Sequence, residues 1–261
     1  MRGERMSIEA SRQDLPFVAP CRHIPASAPF TWIARGWRDF LAAPLPSMTY
    51  GFAIALLGVI ITYLAWRFGS NWVVLLLLPS FVFVAPVLAM GFYAISAELA
   101  RGEKPTLRRC FMEERCRLGD AMVYSLVLLV VFLLWMRAGT GVHVFYPDLG
   151  NPSFSDLLGY FTIGSAVGSV FALISFAASA FSLPMLLDRR TDGVTAAVTS
   201  AHAVLKNKPA MLVWIGLILL AVIIGFATAF IGLVVTMPVI GHATWHAYKD
   251  TIDSSAWPAN C

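Results

Sequence analysis

The chain has 261 residues, of which 58% are hydrophobic and 13% are charged, and its formal net charge is +4 at pH 7. Soluble domains carry about 25% charged residues, so this composition excludes an ordinary soluble globular protein. The basic excess does not indicate a nucleic-acid partner, because the basic residues flank apolar segments and form no basic patch with interleaved aromatic residues.

Residues 1–29 are predicted to form a flexible cytoplasmic tail, followed by a single membrane domain over 30–250 and a short cytoplasmic tail over 251–261. No cleavable signal peptide is predicted, because no apolar core separates the early arginines from Pro16. The four cysteines form no CxxC pair and are expected to be reduced thiols on the cytoplasmic side. They are Cys21, Cys110, Cys116 and Cys261.

Five apolar stretches follow the tail, and a membrane-spanning helix needs roughly 20 mainly apolar residues. The last stretch, 210 to about 248, is too long for one crossing of a hydrocarbon core about 30 Å thick. Two short helices with a tight turn near 225–228 are therefore predicted, which gives six spans. Five spans, with a long final helix leaving the membrane, is the alternative. The first four stretches are 47–66, 72–97, 121–136 and 157–187.

The basic residues fix the predicted orientation. Of the 19 Lys and Arg residues, all but Arg67 and Arg137 fall in alternate gaps between the apolar stretches. By the positive-inside rule these gaps are cytoplasmic, together with both termini.

The segments also repeat, over about 31–105, 106–193 and 194–250. Each unit has an amphipathic stretch, a first span, and a second span with a proline towards its cytoplasmic half, namely Pro86, Pro184 and Pro238. This order predicts an all-α polytopic membrane protein with six transmembrane helices as three hairpins, each preceded by an amphipathic interfacial helix.

The amphipathic stretches have helical periodicity. In the first, Arg35 and Asp39 are expected to pair at i, i+4 on the face opposite the apolar one. Such helices lie along the headgroup boundary with the apolar side towards lipid, and docking of a soluble partner is the alternative. The apolar faces consist of Ile33, Trp37 and Phe40, then Leu107, Phe111 and Leu118, then Val194, Val198, Ala201 and Leu205.

Histidines form the most suggestive constellation. His242 and His246 are four residues apart and share one face of the last helix, and His202 in the third amphipathic helix falls in the same leaflet. Structural hydrogen bonds at the interface are the favoured interpretation of these histidines, and a transition-metal or haem site formed by three imidazoles near one cytoplasmic pocket is the alternative. Histidines on one face of one helix cannot clasp a haem from both sides. No catalytic residues and no further cofactor are predicted.

Small residues follow one face of the fourth span at Gly164, Gly168 and Ala172. Small residues let helices approach closely, so this face is expected to pack inside the bundle, with a homodimer seam as the alternative. The spans contain almost no ionisable groups, which disfavours a proton- or ion-coupled transporter.

Three stretches carry a family resemblance: 32–44, 86–105 and the motif Gly241-His-Ala-Thr-Trp-His-Ala-Tyr248. With them the chain resembles a family of uncharacterised bacterial integral membrane proteins, some members of which are labelled as a cytochrome c oxidase subunit. The resemblance implies an inner-membrane protein of about six helices and no established activity. A haem–copper catalytic core needs about six histidine ligands across many spans and this chain has five histidines in total, so an accessory subunit is compatible and the core is not.

Three functions are consistent with these patterns. The first is a non-catalytic membrane protein that packs with, assembles or regulates another membrane complex, such as a respiratory one. The second is a small-solute or lipid transporter or channel. The third is a metal- or haem-binding protein that uses the histidines of the last helix.

Overall fold

The computed structural model describes residues 16–68, 88–106, 118–145 and 154–259. Within these ranges the chain is all-α, as predicted, and its extended pairings there are two isolated bridges, Cys21 with Ile252 and Arg189 with Ala259. The second amphipathic stretch, most of the second span with Pro86, the loop after α4, and Cys110, Cys116 and Cys261 lie outside the described residues. The helices are α1 Ala28–Ala42, α2 Pro44–Phe68, α3 Met90–Ala100, α4 Leu118–Phe145, α5 Phe154–Ser179, α6 Ser182–Asp188, α7 Gly193–Lys206, α8 Lys208–Ala227 and α9 Leu233–Thr251.

Three described stretches are long and apolar enough to cross a membrane: Pro44–Leu64, Leu158–Asp188 and Lys208–Ala227. They coincide with the predicted first, fourth and fifth spans. A shorter apolar stretch, Leu126–Ala138, lies at the predicted third span. The chain is therefore a membrane protein with several apolar helices.

The predicted fourth span is one apolar stretch but two helices. The backbone breaks between Ser179 and Ser182 because Pro184 has no N–H to give to the preceding turn and its ring crowds the carbonyl four residues earlier. The freed N–H of Phe181 donates to Ser200 Oγ at 3.1 Å, so α7 stabilises the break.

The last apolar stretch forms two helices, as its length predicted. α8 ends at Ala227 and α9 begins at Leu233. The turn between them places Ala229 and Phe230 at φ of 49° and 70°, a left-handed backbone that non-glycine residues rarely adopt. The turn lies a few residues later than expected, because Thr228 ends α8 by bonding back to Ile224 and Gly225.

Helix α9 lies at the centre of the fold. Twelve of its 19 residues are buried, whereas a helix at a bundle's edge buries one stripe. α2 runs antiparallel to it, since Ser47 contacts His242 near one end and Gly58 contacts Phe230 near the other. α8 packs on α9 from another side, and Trp214 at its start meets Trp32 of α1 edge to face, with ring centroids 5.6 Å apart.

Helix α1 contacts α9 near Val239 and Ala243 at very close range. A Cβ at Gly36 would lie 2.6 Å from Val239 O and 2.7 Å from Ala243 N. The expected pairing of Arg35 with Asp39 is wrong, because this close crossing brings Asp250 within reach of Arg35. The expected lipid face of α1 is also divided: Phe40 is buried against α9, Ile33 is half-buried and Trp37 is exposed.

Helix α7 matches its expected orientation more closely. Val194, Val198 and Leu205 are exposed and Ala201 is half-buried. The opposite face is small and polar, and its Thr199 and Ser200 hydroxyls accept backbone N–H groups from Ala19 and Phe181. The apolar side of this helix therefore points away from the rest of the chain.

Both α1 and α7 lead into a long apolar helix through a one-residue break followed by a proline. Ala43 separates α1 from α2, which begins at Pro44, and Asn207 separates α7 from α8, which has proline in its first turn. This shared order is what the sequence comparison of the first and third units predicted, and the internal repeat itself stays a prediction.

The segments before α1 and after α9 lie side by side. Arg22 N donates to Thr251 O at 2.8 Å, and Asp253 N donates to Pro20 O at 2.9 Å. The described part of the predicted flexible tail is thus packed, and Ala19 and Ile24 are buried. The two segments therefore lie together on one side of the described fold, and the choice between six and five spans stays a prediction.

Replacing Gly36 by Ala is expected to lower stability by about 1 to 3 kcal/mol, because the new methyl group meets the α9 backbone and cannot be accommodated by a side-chain rotation. Thermal unfolding of the detergent-solubilised protein measures the change. Gly216→Ala in α8 is the matched control, since nothing lies within 4 Å of its Cβ and alanine is the better helix former. Equal melting temperatures for Gly36→Ala and the control would contradict the close crossing.

Candidate functional site

Four helices bring polar side chains together on the C-terminal half of α9. α1 contributes Asp39, α2 contributes Ser47, α3 contributes Ser96, and α9 contributes His242 and His246. We call these five residues the His242 network. All lie on helices whose positions are set by close packing of glycines, as at Gly241, where a Cβ would meet Phe92 at 2.6 Å.

The network is a continuous chain of short contacts. His242 Nε2 lies 3.0 Å from Ser47 Oγ, and its Nδ1 lies 2.8 Å from Ser96 Oγ. Ser96 Oγ donates to Asp39 Oδ2 at 2.7 Å, and the same oxygen lies 2.9 Å from His246 Nε2. Every link is within ordinary hydrogen-bond distance.

The proton positions follow from counting donors. Ser96 has one hydroxyl proton and gives it to Asp39, so it must accept from His242 Nδ1–H. A neutral imidazole protonated on Nδ1 accepts at Nε2, which makes Ser47 the donor there. Each of these contacts therefore pairs a donor with an acceptor, and such networks hold their elements in one arrangement.

A second set of contacts joins α1 to α9 one turn away. Asp250 accepts from Trp32 Nε1 at 2.9 Å and from Arg35 Nη1 at 3.2 Å. Together with the Asp39–His246 contact, each helix presents a basic residue followed four residues later by an acidic one, and each basic group meets the acidic group of the other helix. This complementarity favours the observed register of the two helices and disfavours a shifted one.

A third cluster ties α6 to the end of α9. Asp188 Oδ2 accepts from Tyr248 Oη at 2.8 Å, Lys249 Nζ at 3.0 Å and Arg189 Nε at 3.1 Å. The Tyr248 hydroxyl also contacts Ser254 Oγ at 2.7 Å. The three clusters together fix α1, α3, α6 and the C-terminal segment around one end of α9.

The His242 network resembles an acid–base relay in the order of its groups, but its location favours a different role. Ser47 and His242 are both completely buried. No solvent-borne reactant reaches the Ser47 hydroxyl in this conformation. What the arrangement does physically is cross-link four helices through groups that neutralise one another.

The predicted metal ligands are not brought together. His202 is exposed on α7, whereas His242 is buried and His246 is half-buried. Both ring nitrogens of His242 are engaged by serines, and His246 Nε2 faces Asp39. In the described ranges no group of three or more His, Cys, Asp or Glu residues is arranged to hold a metal ion.

The predicted small-residue face of α5 is used in part. A Cβ at Gly168 would lie 3.5 Å from Trp135 Nε1, so this position packs on α4 within the chain. Gly164 has nothing within 4 Å of its Cβ position, and Ala172 is half-buried. Intramolecular packing thus holds at Gly168 and does not extend to Gly164.

Sequence reasoning missed three of the five network residues. Ser47 and Ser96 are single hydroxyls in apolar helices, and Asp39 was assigned to Arg35. The one available signal in the sequence was that His242 and His246 share a face of the last helix. Two imidazoles on one helix face need hydrogen-bond partners, and these partners must come from another helix.

Removing the Ser96 hydroxyl is expected to cost about 1 to 3 kcal/mol, because Ser96→Ala takes a buried hydrogen-bond partner from both His242 Nδ1 and Asp39 Oδ2. Thermal unfolding in detergent measures this loss. Ser169→Ala is the matched control, since that hydroxyl is exposed and bonds to its own helix, and it should change stability by less than about 0.5 kcal/mol. A loss of stability in Ser169→Ala alone, or an equal loss in both variants, would contradict the hydrogen-bond network.

The protein should lose stability in acid when the Asp39 carboxylate becomes protonated. Burial alone would raise the pKa of this carboxyl, but the hydrogen bonds from His246 and Ser96 and the nearby imidazoles outweigh burial and hold the pKa below its usual value. The stabilisation is therefore complete above the unfolded-state pKa of about 3.9 and is lost as pH falls through the lower folded-state pKa.

Unfolding curves recorded from neutral pH into acid test this sign. Asp39→Asn should be less stable than wild type at neutral pH, and the difference should shrink as the pH falls below about 4. Parallel curves for the two proteins would show that Asp39 carries no such linkage.

Comparison with known proteins gives one match. Residues 73–188 match the family model described as "Predicted integral membrane protein (DUF2189)". No curated protein and no solved structure matches the chain. Of the His242 network, Ser96 alone lies inside the matched segment, and the description carries neither an activity nor an oxidase label. This match confirms the family resemblance seen in the sequence. Over residues 73–188 the chain matches a family of predicted integral membrane proteins whose function is unknown.

Proposed function

We propose that the protein is a non-catalytic integral membrane protein that packs with, assembles or regulates another membrane complex. The observation that supports this role is the outer surface of the α4–α5 pair. The two helices pack on each other and meet the rest of the described chain mainly through α6 and α7. Tyr124 marks the inner end of the pair, where its hydroxyl donates to Ala178 O at 2.6 Å.

Beyond that inner end, α4 is apolar and exposed on more than one side. Successive helical residues point 100° apart, so neighbouring exposed positions cannot share one face. Only one side of α4 is covered by α5. The large apolar residues of α4 that are exposed, among those whose burial is described, are Leu126, Val127, Leu129, Val130, Leu133 and Leu134.

Lipid tails cover an exposed apolar surface in a membrane as well as another helix does. Association of two membrane helices therefore depends on close packing between them. α5 offers a surface suited to it. Gly164 is open and is flanked by exposed Phe161 and Ile163. The nearby Thr162 and Ser169 hydroxyls bond to carbonyls of their own helix, so a docking helix would not strand a polar group.

The interior supports a structural role over transport. The described centre around α9 is filled by side chains, and the polar groups of the His242 network bond one another. A transport pathway needs polar groups that are available to a substrate. A respiratory complex is the class of partner that the sequence resemblance suggests.

We further propose that the protein lies in a bacterial inner membrane with both paired terminal segments cytoplasmic. The positive-inside rule supports this side, since all but two of the 19 basic residues fall there. The backbone pairing of 20–22 with 251–253 agrees with it by keeping the two segments together.

Photo-crosslinking from two positions in native membranes tests whether the outer surface of the α4–α5 pair binds a partner protein. A crosslinking amino acid at Phe161 on α5 should join this chain to one other membrane protein, which also co-purifies in fixed stoichiometry in gentle detergent. The matched control is Phe52 on α2, which is equally exposed and should crosslink to lipid.

Two outcomes would overturn the proposal. Lipid adducts at both positions, together with purification of a single protein species, would show that no partner protein binds the α4–α5 surface. A crosslink between two copies of the chain through Phe161 would show that this surface forms a homodimer and does not bind another membrane protein.

A further inference from the structure

Helix α1 sorts its side chains into three sectors. Trp32, Gly36 and Phe40 face α9 and are buried. On another sector Phe30, Trp37 and Leu41 are exposed by 59%, 45% and 59%. We call Phe30, Ala34, Trp37 and Leu41 the outer stripe, since all four are exposed and lie three or four residues apart on one side of the helix.

The outer stripe continues onto the membrane-crossing helix. After the break at Ala43, exposure resumes at Leu45, Met48 and Phe52, again three or four residues apart. These residues lie on Pro44–Leu64, a candidate span whose exposed side faces the hydrocarbon of a bilayer. Exposed apolar residues therefore follow one another along the chain from α1 onto the candidate span.

The third sector of α1 is polar. Thr31 and Arg38 are exposed along one edge of the outer stripe. An arginine beside an apolar stripe can lay its methylene groups along the apolar surface and extend its guanidinium to a phosphate. The remaining charges of the helix are turned inward, since Arg35 bonds Asp250 and Asp39 bonds Ser96 and His246.

α1 is also held in place without lipid. Its backbone lies against α9 at Gly36, and two polar contacts anchor it on either side of that point. The helix therefore presents the outer stripe in a fixed orientation, and no ordering cost is added when the stripe meets its surroundings.

We propose that α1 lies in the membrane plane at the headgroup layer, with the outer stripe in the acyl region and Arg38 bound to the phosphate of an anionic lipid. The occupant is the bilayer, because the stripe lies directly before an apolar candidate span in the chain and its polar edge carries the positive charge of Arg38. This proposal is independent of the α4–α5 surface.

Spin labels on single cysteines test the placement of the stripe. The protein, with Cys21, Cys110, Cys116 and Cys261 replaced by serine, is reconstituted in nanodiscs of phosphatidylcholine and phosphatidylglycerol. Labels at Trp37→Cys and Leu41→Cys should be relaxed by oxygen and not by a water-soluble nickel chelate, as at Met48→Cys. The matched control Thr31→Cys, on the polar edge of the same helix, should respond to the chelate.

Two results would overturn the placement. If the labels at 37 and 41 respond to the chelate as strongly as the label at 31, the stripe faces water. If neither reagent reaches them, a protein or a second copy of the chain covers the stripe.

The headgroup contact has its own measurement. Adding phosphatidylglycerol to phosphatidylcholine nanodiscs should raise the melting temperature of the wild-type protein, and salt should weaken this rise by screening. Arg38→Gln should reduce the rise, and Arg38→Lys should keep most of it because the positive charge remains. An unchanged rise in Arg38→Gln would overturn the role of Arg38.

Discussion

The contact on which the described fold depends is the approach of the α1 and α9 backbones at Gly36. Helix axes with ordinary side chains between them lie 8 to 10 Å apart, and only a glycine allows one backbone to touch another. At this spacing Asp39, one turn further along α1, reaches His246, and Arg35 reaches Asp250. A larger residue at 36 would lengthen every one of these links together, so the polar contacts and the steric contact form one cooperative unit.

The His242 network carries a particular energetic asymmetry. Each hydrogen bond contributes modestly, because water would satisfy the same groups in the unfolded chain. Losing one partner is costly, since a buried imidazole or hydroxyl is then left unpaired. A network that is neutral when complete and costly when broken mainly penalises alternative packings. We therefore regard His242 as a residue that specifies how four helices meet rather than one that adds much net stability.

Local composition was sufficient to predict the apolar helices. α2, the α5–α6 stretch and α8 follow from hydropathy alone, and the α8–α9 hairpin follows from the excess length of the last stretch. The partners of polar residues did not follow, because they are separated widely along the chain. Arg35 has Asp39 four residues away, yet it bonds Asp250, 215 residues later. α1 has apolar residues on two sectors, and periodicity cannot say which of them faces protein and which faces lipid.

The same distance along the chain has a consequence for biosynthesis. α1 is made before α9, which supplies its ion-pair and hydrogen-bond partners and is the last described helix. At about 5 to 20 residues per second, synthesis of the intervening 215 residues takes about 10 to 40 s. During that interval Arg35, Asp39 and Trp32 lack their final partners, and the inserted helices surround a place that α9 has yet to fill. Assembly of α1 with its polar partners therefore waits until α9 has been made.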